Sequence, residues 1–292
     1  MTFTKIFYTT LFSFLLFGLS LSNFCEAEEP LPAVIVSIAP YKFFVNQIAG
    51  KTVDVKLMVP TGGSPHSFEP TVRQILEASK AKIWFIIGET FEERALQALK
   101  YSHSDMKIVD MRSGISLIGD GGKEHETCTH HHHGYDPHIW LSPRLVKKQA
   151  AAISESLMQA FPKNAELYRN NLKKFEAELD ALDKDIITML QRMKNRTILV
   201  SHPAFAYYCR DYGLTQVSIE FEGKEPSPQH LTRILELARK TNSPVVYIQS
   251  QHPSKGAKLV ANQIHAKLID IDPLSENYFE NMRELTRSFS AQ

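Results

Sequence analysis

Residues 163–196 read KNAELYRNNLKKFEAELDALDKDIITMLQRMKNR, and this stretch decides how the rest of the chain is organised. It contains no glycine or proline, and its apolar side chains recur in steps of three to five residues. That spacing predicts one helix of about 30 residues, roughly 45 Å long at 1.5 Å per residue. The apolar positions are Leu167, Leu172, Phe175, Leu179, Leu182, Ile186, Leu190 and Met193.

Short apolar runs typical of β-strands flank this helix on both sides. Upstream they read AVIVSI, VDVKLMV, KIWFII and KIVDM, and downstream TILVS, TQVSIE, PVVYIQ and KLIDI. Most are followed by an amphipathic segment, which is typical of mainly parallel sheets. A coiled-coil dimer helix is the alternative for the long stretch, but its apolar stripe lasts only about four heptads. We therefore expect a rigid connector within one chain.

The predicted fold class is α/β, with two lobes, each a mainly parallel sheet flanked by helices, joined by one long backbone helix. The expected boundaries are an amino-terminal lobe at 28–160, the connecting helix at 161–195 and a carboxyl-terminal lobe at 196–292.

Residues 1–27 have the layout of a secretory signal peptide. Lys5 precedes the apolar run LFSFLLFGLSL, which is too short to span a bilayer, and small residues follow near Ala27. We expect export to the periplasm and cleavage after Ala27. A lipid anchor on Cys25 is the rival interpretation, but bulky Phe24 occupies a position where lipid-anchor signals carry a small residue.

Composition excludes some classes of function. The whole chain has 33 basic and 32 acidic residues, and no basic block, so nucleic acid is not an expected partner. We expect a monomer.

Cys128 and Cys209 remain after removal of the signal, and we interpret them as unrelated thiols, although a disulfide is the alternative.

Histidines crowd one polar segment of the predicted first lobe, within the loop at 123–134. Five of the twelve histidines lie within nine residues of this loop: His125, His130, His131, His132 and His133. Such a tract favours binding of a transition metal, although a solvated loop or a tag-like fragment is the alternative when the tract is taken alone.

Other candidate ligands follow predicted strands. His66 comes after VDVKLMVPTGGSP, His202 after TILVS and Asp272 after KLIDI, while His138 lies in DPHIWLSP. In open α/β sheets, ligands bind beyond the carboxyl ends of the strands. A single histidine near a loop is often only a surface residue. Three imidazoles and one carboxylate together suit Zn²⁺. Possible partners of the rings are Glu69, Glu220, Glu222 and Gln249.

Several ordered motifs resemble the metal-specific solute-binding proteins of bacterial ABC importers, the ZnuA/TroA-like group. The motifs are VSIAPYKFFVNQIAGKTVDVKLMVPTGGSPHSFEPT, DPHIWLSP, SHPAFAYYCRDYGL, EGKEPSPQHL and DIDPL. The resemblance implies two lobes with the metal between them, and a membrane permease of an ABC importer as partner. It also implies the ligands His66, His138, His202 and Asp272. Manganese-selective members carry a carboxylate where this chain has His202, so zinc is the expected cargo.

Three alternatives stay open. The same site could bind manganese or iron, because several divalent metals accept such ligands. A zinc metallohydrolase would need one group to act as a general base, and no HExxH motif is present. An exported metal buffer or adhesin would use the His-rich loop alone. We expect a carrier and not an enzyme.

Overall fold

The structure, a computed structural model, describes residues 30–100, 105–119, 134–220, 226–252 and 254–292. Residues 32–292 form one compact unit. The predicted signal peptide and the histidines of the His-rich loop lie outside the described residues.

Eight short strands form two sheets of four. They are β1 (Ala33–Val36), β2 (Asp54–Leu57), β3 (Ile83–Ile86), β4 (Lys107–Asp110), β5 (Thr197–Val200), β6 (Thr215–Ser218), β7 (Val245–Gln249) and β8 (Lys267–Ile271). All eight fall within the apolar runs that predicted them. Every pairing is parallel, in the orders β2-β1-β3-β4 and β6-β5-β7-β8. Each sheet therefore reverses its strand order beside its first strand, which creates a crevice at the carboxyl ends of the strands.

Nine helices connect and cover these sheets in the described part of the chain. They are α1 (Ala39–Ala49), α2 (Val72–Ala78), α3 (Thr90–Leu99), α4 (Pro143–Ala160), α5 (Ala165–Leu190), α6 (Ala206–Tyr212), α7 (Pro228–Lys240), α8 (Lys255–Ile264) and α9 (Tyr278–Ser290). None of these helices combines the length and the apolar run needed to cross a membrane.

The long helix α5 joins the two lobes, as predicted. It has 26 residues, slightly fewer than expected, because the chain turns after Leu190 and Met193 packs into the core from beyond the helix. Its buried face carries Phe175 and Leu179 as expected, and also Tyr168, which the apolar spacing missed. Leu167 is 42% exposed. The predicted fold class is confirmed, whereas the boundaries at residues 160 and 195 stay predictions.

Aromatic packing ties the lobes together behind the crevice. Phe44 of α1 packs edge-on against Tyr278 of α9, with ring centroids 4.8 Å apart, and the Phe44 centroid lies 5.8 Å from that of Phe175 of α5. The Trp140 indole donates to the Pro273 carbonyl at 2.8 Å, and the Tyr278 hydroxyl donates to the Trp140 carbonyl at 2.9 Å. These buried bonds and ring contacts join the amino-terminal lobe to α9 and to the loop after β8.

Candidate metal site

The candidate ligands come from loops at the carboxyl ends of the strands, on both sides of the crevice. His66 lies in a 3₁₀ turn, Pro65–Ser67, after β2, and Pro65 supplies the fixed φ angle that starts such a turn. His202 follows β5 after one intervening residue. The His202 ring is buried, whereas 29% of the His66 side chain is exposed.

His138 is oriented by its own loop. Asp136 Oδ1 accepts two hydrogen bonds, one from the backbone N–H of His138 and one from its Nδ1, both at 2.8 Å. Pro137 between them restricts the backbone, and Tyr207 of α6 donates to the Asp136 carbonyl at 2.7 Å. The His138 ring is buried. Its partner Asp136 is held by Tyr207 from the other lobe, so both lobes contribute to the position of the ring.

The other two rings have carboxylate partners of the same kind. His66 Nδ1 lies 3.1 Å from Glu89 Oε2, and His202 Nδ1 lies 3.0 Å from Glu220 Oε2. Both carboxylates are buried. An ionised carboxylate only accepts hydrogen bonds, so each ring must carry a proton on Nδ1. This is how proteins fix the tautomer of a metal-binding histidine and leave Nε2 for the metal.

The position of Glu89 is set by the backbone turn after β3. Gly88 has a φ of +94°, a conformation that residues with a side chain rarely adopt, and a Cβ there would also displace the Arg112 guanidinium. The buried Glu92 carboxylate then accepts hydrogen bonds from the backbone N–H groups of Ile87, Gly88 and Glu89. The carboxylate that orients His66 is therefore held by the start of α3.

The three predicted histidines lie together. Their ring centroids are 5.0 Å apart for His66 and His202, and 5.3 Å apart for each pair that includes His138. The Nε2 atoms of His66 and His202 face each other at 3.1 Å. With Nδ1 protonated in both rings, two lone pairs would meet at that distance. The arrangement is stable only with a cation between them, either a proton on one ring or a metal ion.

The pKa values of these rings are shifted in opposite directions. Burial lowers the pKa of His202 to about 2, and positive charge on His138 and His66 adds to this effect. Burial also lowers the pKa of His66, but the hydrogen bond and the negative charge of Glu89 outweigh it, and the pKa ends above its ordinary 6.5. Of the two rings, His66 is therefore the one that binds a proton at Nε2 more readily.

Asp272 has a different setting from the three histidines. It follows β8 as predicted, but it is exposed, and its Oδ1 accepts from Gln251 Nε2 at 2.8 Å and from the Leu274 N–H at 2.9 Å. Its role as a ligand stays a prediction. Of the other predicted ring partners, Glu220 bonds His202, Glu69 pairs with Arg94, and Glu222 lies outside the described residues.

Sequence reasoning missed His252, which follows β7. One ring nitrogen from each of His66, His202 and His252 lies within 4.8 Å of the others, and the His252 ring stacks on that of His202. Burial and the charges of His202 and His66 lower its pKa to about 3. A signal was available, since VVYIQSQHP repeats the strand-then-His-Pro pattern of TILVSHP. Glu89 and Asp136 were also missed: the pairing of Glu89 with His66 depends on the tertiary fold, whereas Asp136 lies only two residues before His138 and their pairing is local.

Cys209 is a buried thiol on α6 with no disulfide partner among the described residues, and burial raises its pKa. It takes no part in the histidine cluster. Cys128 lies outside the described residues.

Known proteins resemble this chain over nearly all its length. It is 32% identical over 278 residues to a putative metal-binding protein of Chlamydia trachomatis, covering 94% of this chain and 97% of that protein. It is 32% identical over 241 residues to the high-affinity zinc uptake system protein ZnuA of Bacillus subtilis, covering 80% and 76%. A crystal structure of ZnuA superposes with a TM-score of 0.82 at 35% identity, covering 89% of this chain and 98% of the other.

The family comparison agrees with these relatives. Residues 34–292 match the model of the ZnuA family, described as zinc-uptake complex component A, periplasmic. This is a family of solute-binding transport proteins. The match begins within β1 and extends to the last residue of the chain, so it includes both sheets, the connecting helix and all four histidines of the crevice. The chain therefore belongs to the ZnuA family.

Proposed function

We propose that this protein captures one zinc ion in the crevice between its lobes and delivers it to the membrane permease of an ABC importer. His66, His138 and His202 supply Nε2 ligands to the ion. The observation that carries the proposal is the 3.1 Å approach of two Nε2 atoms whose Nδ1 atoms are both engaged by carboxylates. Two nitrogens bound to a tetrahedral Zn²⁺ lie about 3.3 Å apart, because each Zn–N bond is about 2.0–2.1 Å. The rings are thus already close to the spacing that zinc requires.

Zinc fits these donors better than manganese does. Neutral imidazoles suit zinc, whereas manganese prefers carboxylate and water oxygens. The Bacillus subtilis relative is named for zinc uptake, and a second ZnuA structure at 35% identity is described as zinc-bound. Iron remains an alternative cargo for the same rings.

A carrier is better supported than a zinc hydrolase. A hydrolase needs a metal-bound water and a general base beside it. The three carboxylates beside the cluster, Glu89, Asp136 and Glu220, each bond a histidine Nδ1. They are therefore used to orient ligands, which favours tight holding of the ion over activation of water.

Location and partner follow from the same proposal. Residues 1–27 direct export, the mature chain works as a monomer in the periplasm, and the His-rich loop at 123–134 binds additional zinc weakly. The family description as a periplasmic component of an uptake complex supports this assignment. The metal buffer or adhesin alternative differs in one respect, because it places the functional histidines in the loop alone.

Competition titration with a chromophoric zinc chelator tests the site. We expect one tight zinc per chain, and we expect His138→Ala and His202→Ala to weaken it by more than the 10 to 100-fold typical of losing a ligand's hydrogen-bond partner. His265→Asn is the matched control, since His265 is exposed at the end of α8 in a left-handed conformation that asparagine tolerates. Unchanged zinc affinity in both alanine variants would exclude the site, and loss of tight zinc on removal of the loop histidines alone would favour the buffer.

A further inference from the structure

Tyr207 of α6 bonds the opposite lobe through a single buried hydroxyl. The hydroxyl accepts from the Ile118 N–H at 3.0 Å and donates to the Asp136 carbonyl at 2.7 Å. The Asp136 N–H in turn donates to the Ile118 carbonyl at 2.9 Å. These three hydrogen bonds form a closed network that fixes residues 118 and 136 against α6.

The Tyr207 side chain is held firmly and stays protonated at neutral pH. Its ring is buried and lies under the Arg210 guanidinium, 5.2 Å from the ring centroid. Burial raises the pKa of the hydroxyl to about 12. Removal of the hydroxyl would leave the Ile118 N–H and the Asp136 carbonyl without this partner, and an unpaired buried polar group is costly. The backbone at residues 118 and 136 would therefore have to shift.

Asp136 connects this network to the metal site. Its Oδ1 accepts from the backbone N–H and from Nδ1 of His138, both at 2.8 Å. Because the aspartate side chain is short, a shift of the Asp136 backbone also moves its carboxylate and with it the His138 ring. Pro137 restricts the backbone between the two residues. A displacement of the Asp136 carbonyl is thus passed on to His138.

His138 differs in this respect from the other two predicted ligands. Glu89, which bonds His66, follows β3, and His66 follows β2 of the same sheet. Glu220, which bonds His202, follows β6, and His202 follows β5 of the other sheet. Each of these pairs forms within one lobe, whereas the support of His138 includes a residue from the opposite lobe.

We propose that Tyr207 is a positioning residue for zinc binding, whose hydroxyl holds residues 136–138 so that the His138 ring stays beside His66 and His202. This inference rests on the proposed function of the histidine cluster in zinc binding. It makes zinc affinity depend on the packing of α6 against the amino-terminal lobe as well as on the ligands themselves.

Tyr207→Phe removes the hydroxyl and keeps the ring. In zinc competition titrations on the full chain we expect about 10-fold weaker binding, the lower end of the usual cost of altering an outer partner of a ligand histidine. Tyr208→Phe is the matched control, since Tyr208 is the adjacent buried residue of α6 and its hydroxyl bonds Thr286 Oγ1 of α9 at 2.8 Å. Thermal melts of the metal-free variants should show a similar loss of stability in both, but only Tyr207→Phe should lose zinc affinity.

A double-substitution cycle identifies the ligand through which Tyr207 acts. In the His138→Ala background, Tyr207→Phe should not weaken the residual zinc binding further, because the ring that it positions is absent. In the His202→Ala background it should still weaken binding about 10-fold. Equal losses in both backgrounds, unchanged affinity in Tyr207→Phe, or an equal loss in Tyr208→Phe would each overturn the inference. The proposed function fails separately, only if His138→Ala and His202→Ala themselves bind zinc normally.

Hydrogen exchange on the unsubstituted chain tests the inference without a variant that has to fold. If the Tyr207 contacts strengthen zinc binding, zinc must strengthen those contacts by the same factor. The Ile118 N–H should then be slowed by zinc more than the Thr215 N–H, which bonds the Arg196 carbonyl at the amino end of β6. Equal slowing of the two amides would contradict the role of Tyr207.

Discussion

The amino-terminal lobe presents His66 and the carboxyl-terminal lobe presents His202, each from the carboxyl end of a four-stranded parallel sheet. Both rings bond a buried carboxylate through Nδ1. The pKa of His66 is nevertheless raised, whereas that of His202 falls to about 2. The carboxylate alone therefore does not decide the charge of a histidine. Burial lowers the pKa of both rings, but at His66 the hydrogen bond and charge of Glu89 outweigh it, whereas at His202 the positive charges of His138 and His66 add to it.

Because their pKa values differ, His66 and His202 differ in protonation in the metal-free protein. His202 keeps a free lone pair, and His66 is the ring that binds a proton more readily. On the proposed assignment of ligands, a zinc ion would have to displace any proton held by His66. Metal-free protein is thus kept from placing two lone pairs against each other, and the rings remain near the spacing that the ion needs.

The largest expected effect concerns the two carboxylates. Glu220→Gln should weaken zinc binding by about 10 to 100-fold, the usual cost of altering the partner of a ligand histidine. Glu89→Gln should weaken it less near pH 6, because the same change lowers the pKa of His66 and removes a competing proton. Chelator titrations at pH 6 and pH 8 measure the zinc affinity of each variant. The difference in affinity between Glu220→Gln and Glu89→Gln should disappear at pH 8. Equal losses at both pH values would show that the two partners act alike.

The second effect is the release of a proton. Because the pKa of His66 lies above 6.5, zinc binding at pH 6.5 should release most of one proton from this ring. The release should fall as pH rises past the pKa of His66. Calorimetric titrations in buffers of different ionisation enthalpy measure the number of protons released per zinc ion bound. Glu89→Gln should reduce this number at pH 6.5. An unchanged release in that variant would contradict the assignment of the proton to His66.

The third effect is on the stability of the metal-free protein. The folded pKa values of His202 and His252, about 2 and about 3, lie below the unfolded value of 6.5. Their contribution to the free energy of unfolding is present above pH 6.5 and is lost as pH falls below it. His66 acts in the opposite sense, since its stabilising contribution is lost as pH rises through its raised pKa. The two histidines with lowered pKa values together outweigh His66, so the free energy of unfolding should decrease as the pH falls.

Thermal melts of metal-free protein between pH 7 and pH 5 test this expectation. The melting temperature should fall with acid, and His252→Asn should flatten the fall, whereas His265→Asn should leave it unchanged. A melting temperature that rises toward pH 5 would show that His66 dominates.

The smallest expected effect is that of deleting residues 125–133. The ends of the loop are closed by the bridge between Gly119 and Tyr135 and by the Asp136 N–H, which donates to the Ile118 carbonyl at 2.9 Å. We therefore expect deletion to remove weak additional zinc binding and to leave the tight site unchanged. Equilibrium dialysis against zinc distinguishes the two classes of site. Loss of the tight site would show that the loop supplies a ligand.

The sequence alone predicted the parallel sheets and the connecting helix, because period and composition are local properties. Strands such as Ile83–Ile86 are short apolar runs, and α5 has a continuous apolar stripe without a helix breaker. The same locality explains the errors at the ends of α5, where Leu167 is exposed and Tyr168 is buried. Which side of a helix packs is decided by its neighbours, here α1, α4 and α9.

For the candidate ligands, too, some features were predicted from the sequence and others were decided by the tertiary structure. His66, His138 and His202 could be proposed from sequence, because each lies in a loop near the carboxyl end of a predicted strand or in a motif that the family carries. The pairing of His66 with Glu89 and of His202 with Glu220, and the arrival of His252 beside them, were decided only by the tertiary structure. The physical reason is that a hydrogen bond or a shared metal depends on distances of about 3 Å between groups far apart in the chain. Only the packing of two sheets against one long helix brings those groups that close.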